Sequence, residues 1–109
     1  MDPQELLEAR ELRIYFRTVG DLVRLQILKQ LSRNKEMSVM ELVNALRVSQ
    51  PLISWHLSVL KRIDLVTMRK EGRLAYCSLN RRAVDVFRQR FDRWMVGDTT
   101  SSSEGEVDG

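Results

Sequence analysis

The stretch Ser49–Lys61, Ser-Gln-Pro-Leu-Ile-Ser-Trp-His-Leu-Ser-Val-Leu-Lys, constrains this chain more than any other segment. A serine placed to cap and a proline just inside the start are what helix N-termini favour. Wound at about 100° per residue, the segment gathers Ile53, Leu57 and Leu60 into one apolar stripe. Its opposite side is short and polar: Gln50, Pro51, Ser54 and Ser58, closed by Lys61 and Arg62. A merely solvated helix face would more often carry long Lys and Glu side chains. A helix that is apolar behind and small and hydrogen-bonding in front suits the major groove of double-stranded DNA, where Gln and Ser reach base edges.

The flanking segments extend this reading. Glu36–Leu46 reads as a short helix, with Ser38 as its cap, Glu41 three residues later, and Leu42 and Leu46 turned inward. That spacing is a capping box. Only Arg47 and Val48 separate the two helices, which makes them a helix-turn-helix with the segment 49–62 as the reading element. Leu65–Lys70 and Arg73–Leu79 then read as two strands joined at Glu71-Gly72. A helix-turn-helix followed by a basic hairpin is a winged helix.

Upstream, Asp2–Arg17 has a helical pattern with Leu6, Leu7, Leu12, Ile14 and Phe16 among charged residues, broken at Gly20-Asp21. Asp21 can cap a second helix, Leu22–Leu31, expected to turn Leu25, Leu28 and either Leu31 or Ile27 to the core. Ser32–Lys35 is a polar loop. Asn80 can cap a last helix, Arg81–Val96, whose Val84, Phe87, Phe91 and Trp94 recur as a heptad-type seam. The expected fold is mainly α with a small β-hairpin, in the order α-α-α-α-β-β-α, over residues 1–96. Residues 97–109 have almost no apolar content and are expected to form a disordered, acidic and serine-rich tail.

At 109 residues the chain is long enough for one modest domain. Its net charge of +3 hides a strong asymmetry. Residues 1–46 balance seven Lys and Arg against seven Asp and Glu, whereas residues 47–93 carry eleven against four, and residues 94–109 carry only four acids. The positive charge sits on the proposed reading helix, the hairpin and the last helix, and points to a polyanion. No apolar run approaches the roughly 20 residues of a membrane span, so no membrane partner is expected. Asp2 and Glu5 do not open a signal peptide. A single cysteine, Cys77, cannot form an internal disulfide and agrees with a reducing cytoplasm.

Each candidate residue has two readings. Gln50 and Ser54 are the best base-reading groups, since Gln pairs bidentately with adenine and Ser reaches several edges. Pro51 can touch a thymine methyl or simply start the helix. Ser49 and Ser58 flank that surface, within reach of phosphate or water. Trp55 can contact groove or phosphate, or pack on a neighbouring subunit or on the wing. His56 falls beside the Ile53–Leu57–Leu60 stripe, so a part-buried, hydrogen-bonded ring competes with a phosphate-facing one. Lys61 and Arg62 can meet phosphate or complement the helix dipole. Arg69, Lys70 and Arg73 flank the wing tip, where cations bond phosphates or enter a narrow minor groove, or are merely solvated. Cys77 shares a strand face with Ala75 and Leu79, a setting in which thiols are inert. Apolar excess on the first and last helices suggests a homodimer through Leu6, Leu7, Val84, Phe87, Phe91 and Trp94, against the alternative that both helices fold back on their own core.

Five pieces in this order resemble the ArsR-type (ArsR/SmtB-like) winged-helix repressors over Val23–Leu79. They are Arg24-Leu25-Gln26-Ile27-Leu28, Ser38-Val39-Met40-Glu41-Leu42, Ser49 through Leu60, Leu65-Val66, and Arg69-Lys70-Glu71-Gly72-Arg73. The resemblance implies a homodimeric transcriptional repressor, dimerised through its first and last helices, with paired reading helices in successive major grooves of a palindromic operator. Two departures stand out. Asp64 occupies the place where the family usually has glycine before Leu-Val. The family's Cys-Val-Cys metal pair falls on Ser38 and Met40, and its Asp, His and Glu set cannot form on a last helix without histidine, so neither metal nor other cofactor is expected. No paired carboxylates, catalytic triad spacing or glycine-rich phosphate loop points to an enzyme. The competing function is a winged helix used only for protein interaction or dimerisation; such a module would usually lose the basic wing that this chain keeps.

Overall fold

Four helix starts are fixed by side chains that satisfy otherwise unpaired backbone N–H groups. In the computed structural model, which describes residues 1–96, the order is α1 (Pro3–Val19), α2 (Leu22–Arg33), β1 (Met37–Ser38), α3 (Val39–Leu46), α4 (Gln50–Arg62), β2 (Val66–Glu71), β3 (Leu74–Leu79) and α5 (Arg81–Val96). Asp2 and Glu5 form a reciprocal capping box on α1, and Ser38 and Glu41 form another on α3. The Asp21 carboxylate accepts from the Arg24 N–H at 3.1 Å, and Asn80 Oδ1 accepts from the Ala83 N–H at 3.2 Å. The expected tail, 97–109, lies outside the described residues.

The core is assembled from one face each of α2, α3 and α4 laid against the sheet. Ile27, Leu31, Leu42, Ile53, Leu60 and Cys77 are wholly buried, with Leu57, Leu65 and Val66 nearly so. On α2 the buried stripe runs through Ile27 and Leu31, with Val23 packed beside it, and Leu25 is exposed, contrary to expectation. Leu25 lies about 160° round the helix from Ile27, so the two cannot share a buried side.

The sheet departs from the sequence reading in two places. Met37–Ser38 is a short strand rather than the first turn of α3, and it pairs antiparallel with Cys77 and Tyr76, giving the order β1-β3-β2. Two residues have no periodicity to read; what recruits them is the open edge of β3, whose backbone groups need partners. The hairpin register pairs Glu71 with Leu74, so the two-residue loop is Gly72-Arg73, one position later than expected. Gly72 has φ +61°, as the first position of a type II′ loop requires.

The end of α4 explains how the chain tolerates Asp64. Leu65 N–H donates to the Leu60 carbonyl (3.1 Å) and Asp64 N–H to that of Lys61 (2.9 Å), the paired bonds of a Schellman motif. Asp64 takes the left-handed position of that motif with φ +62°. The corner therefore keeps the geometry glycine would give, and aspartate is among the few other residues that visit this region.

The terminal helices pair with each other inside the chain. Phe87 stacks on Tyr15 with ring centroids 4.8 Å apart, and Phe16 meets Phe87 and Phe91 edge-on at 5.2 and 5.0 Å. Trp94 Nε1–H donates to the Glu5 carbonyl at 2.9 Å, and Arg90 pairs with Glu11. Within the chain, Phe87, Phe91 and Trp94 of the expected seam face α1, where they are half-buried, and Val84 packs on the core cluster. Leu6 and Leu7 remain exposed, together with Ile14 one heptad beyond Leu7. Seven-residue spacing cannot say whose helix a seam meets.

Relieving the left-handed aspartate has a measurable consequence. Asp64→Gly is expected to raise the unfolding free energy by about 0.5–1 kcal/mol in a urea titration, whereas Asp64→Val lowers it. Equal or lower stability of the glycine variant would contradict the assignment of strain to this corner.

Candidate nucleic-acid interface

Helix α4 owes its orientation to what it hides. Ile53, His56, Leu57 and Leu60 are buried, while Gln50, Pro51, Ser54, Trp55, Ser58, Lys61 and Arg62 are all exposed. Ser49 stands at the N-cap in extended conformation without a side-chain capping bond, so its hydroxyl is available at the helix mouth. The Ser58 hydroxyl donates to the Trp55 carbonyl at 2.6 Å, which leaves its oxygen to accept. Gln50, Ser54, Ser58 and Lys61 line one wall of a groove of about 410 Å³, and Met68 and Lys70 of the wing line the other.

Two of the residues expected at the interface are engaged elsewhere. His56 is buried, so its placement among DNA contacts is corrected to the inward alternative. Its Nδ1 lies 3.1 Å from an Arg24 guanidinium nitrogen and 3.7 Å from the Asp21 carboxylate. A guanidinium only donates, so in the contact with Arg24 the His56 Nδ1 is the acceptor. Arg69 is exposed and lines the same groove, but it already has partners within the chain. Its guanidinium grips Glu36 through two bonds of 2.7 and 2.8 Å, reaches Glu71 at 2.8 Å, and lies 4.5 Å over the ring of Tyr76, its cross-strand partner. Three of its five N–H donors are taken by carboxylates, whose negative charge also opposes the approach of a phosphate. In return the Arg69 hydrogen bonds hold the Glu36 carboxyl below its ordinary range, and Glu36 and Glu71 raise the guanidinium pKa further. Lys70 and Arg73 are the exposed cations left at the wing tip.

Arg24 is the residue the sequence reading passed over. Its Nε donates to the Thr18 carbonyl at the end of α1 (2.6 Å), another nitrogen bonds His56 on α4, and the guanidinium carbon lies 5.7 Å from the Trp55 ring centroid. Its own backbone N–H, capped by Asp21, is the main cause that lowers the pKa of that carboxyl, with the Arg24 charge adding to it. One side chain thus ties α1, α2 and α4 together. It stood in the sequence as one arginine among many, and its role follows from a 32-residue separation that local pattern cannot bridge. Asn44 and Arg47 were also missed; with Ser49 they rim a shallow depression at the helix-turn-helix corner, where Arg47 holds φ +58°.

Cys77 is wholly buried, donates to the Met37 carbonyl at 3.2 Å, and burial pushes its thiol up to about 11. Such a thiol is protonated and unreactive. Among the described residues, no three His, Cys, Asp or Glu side chains cluster as metal ligands.

Comparison with known proteins places this architecture. Residues 21–68 match the family described as "Bacterial regulatory protein, arsR family". The chain is 34% identical over 83 residues to a protein of Staphylococcus xylosus named an arsenical resistance operon repressor, covering 76% of this chain and 79% of that one. It is 44% identical over 72 residues to the HTH-type transcriptional repressor SmtB of Mycobacterium tuberculosis, covering 65% of this chain. The match spans 50% of that relative and 64% of an uncharacterised HTH-type regulator of Methanocaldococcus jannaschii. Among solved structures, reduced HlyU from Vibrio cholerae superposes with a TM-score of 0.66 at 32% identity, covering 79% of this chain and 92% of that one. With a helix-turn-helix, a β2–β3 wing in a three-stranded sheet and these relatives, the chain belongs to the arsR family of bacterial regulatory proteins.

Proposed function

We propose that this chain is a homodimeric, sequence-specific DNA-binding repressor that occludes a promoter, working in the cytoplasm. The observation that carries this reading is the outward side of α4: eight exposed residues, mostly small, polar or basic, back onto a buried stripe. An α-helix of this kind enters the major groove, and Gln50 and Ser54 in its first turns reach base edges. Lys61, Arg62, Lys70 and Arg73 supply phosphate contacts on either side, with Ser49, Asn44 and Arg47 at the corner. Arg69 serves differently: locked to Glu36, it braces the wing against the start of β1 so that Lys70 and Arg73 are presented at a fixed distance from α4.

The paired α1 and α5 form one unit whose unpartnered face carries Leu7 and Ile14, with Leu6 and Val86 also exposed. A second copy covering this surface would pair two α4 helices and call for an imperfect palindrome with half-sites about one helical turn of DNA, or a multiple, apart. No helix among the described residues is long and apolar enough to cross a membrane.

The division of labour in the wing is tested by anisotropy titration of a selected duplex at several salt concentrations. Lys70→Ala combined with Arg73→Ala is expected to reduce the slope of log affinity against log salt by about 3–4 for a dimer. Glu36→Gln, which loosens the clamp on Arg69, is expected to weaken binding, because Lys70 and Arg73 are no longer held at a fixed distance from α4. An unchanged slope in the double variant would remove the wing from the interface. For Gln50→Ala the expectation is a loss of about 1–3 kcal/mol on the selected site with binding to random duplex retained. Equal loss on both would contradict base reading by this residue.

A further inference from the structure

The largest group on the outward side of α4 is neither small nor charged. Trp55 is 53% exposed, and it is held in place rather than loose. Its ring meets His56 edge-on with centroids 4.9 Å apart, and the Arg24 guanidinium lies 5.7 Å from its centre. Arg24 is itself fastened to the Thr18 carbonyl and to His56 Nδ1. The indole is therefore positioned before anything binds, and little side-chain freedom is lost when it is covered.

Helical geometry places Trp55 almost opposite the buried stripe, near the middle of the surface turned to solvent. Pro51, also exposed, precedes it by four residues and so stands one turn away on the same side. With exposed Leu52, three residues before Trp55, they make an apolar strip beside Ser54, Ser58, Lys61 and Arg62. In the major groove the edges of guanine, adenine and cytosine offer only hydrogen-bonding groups, whereas thymine adds a C5 methyl. An indole laid on a purely polar edge would strip that edge of water without replacing its bonds. Laid on a methyl group, it buries apolar surface on both sides.

We propose that Trp55, with Pro51 beside it, recognises the C5 methyl of a thymine at one fixed position in each half-site. This specificity rests on the DNA-reading function proposed above. The cations around the strip complement the phosphates that would flank such a thymine.

The experiment uses the full chain. Duplexes are enriched from a random pool, and the tightest is resynthesised with each thymine replaced in turn by deoxyuridine, which keeps the base pair and removes only the methyl. One thymine per half-site is expected to be methyl-sensitive, its replacement weakening binding about fourfold, the value of one buried methyl-sized group. In Trp55→Ala that sensitivity disappears, and in Trp55→Phe it is reduced. A flat deoxyuridine scan of the unaltered chain overturns the methyl contact by itself while leaving DNA reading intact. A sensitivity that persists undiminished in Trp55→Ala overturns the proposal too, since it would assign the methyl contact to another residue and the indole to base-independent contact. Failure to enrich any sequence would instead overturn the DNA-reading function, and the thymine contact with it.

Discussion

Burial of one stripe on α4 sets everything else at the surface. Ile53, Leu57 and Leu60 pack into a cluster with Ile27 and Leu31 of α2, Leu42 of α3 and Val66 of β2. Rotating α4 by a single residue position, about 100°, would expose part of this stripe and bury serines without partners. Each buried leucine is worth on the order of 2 kcal/mol against water, so the rotational setting is held by several such side chains together. The outward side is then determined by subtraction, and with it the side chains that can meet a ligand.

Electrostatics refines what packing decides. The basic excess of residues 47–93 is not spread evenly over the surface, because Arg69 is drawn into a fork with Glu36 and stacked on Tyr76. A wing of two strands is a poor platform by itself, and this internal clamp joins it to the start of β1. Arg24 does the equivalent work at the opposite edge of α4, joining it to the end of α1 through His56 and Thr18. Because α1 and α5 pair with each other, any second copy seated on them is connected to α4 through a short chain of hydrogen bonds.

How much of this was legible depended on whether the determining contacts were local. Ser38 and Glu41 lie three residues apart, and their capping box was readable as text; the apolar stripe and polar front of α4 were readable for the same reason. The strand at Met37–Ser38 was not, because it exists only through pairing with Tyr76 and Cys77, some forty residues away. The hairpin loop was misplaced by one residue because Glu71-Gly72 and Gly72-Arg73 are both good turn pairs, and register against Leu74 decides between them. Arg69 looked available on a strand drawn alone and is held by Glu36 from a distant part of the chain; for His56 the stripe beside it already offered the part-buried reading, and what decides for it is Arg24 on α2. The aromatic seam of α5 was read correctly as a seam, but periodicity does not identify the helix that fills it.

The outward side of α4 as the DNA-contacting surface is tested most directly by mapping backbone amide shifts in an isotope-labelled chain titrated with a selected duplex. The expected result is that the largest shifts fall on Gln50–Arg62 and on Lys70–Arg73, with the α1–α5 pair little changed. Shifts confined to α1 and α5, with α4 silent, would contradict it.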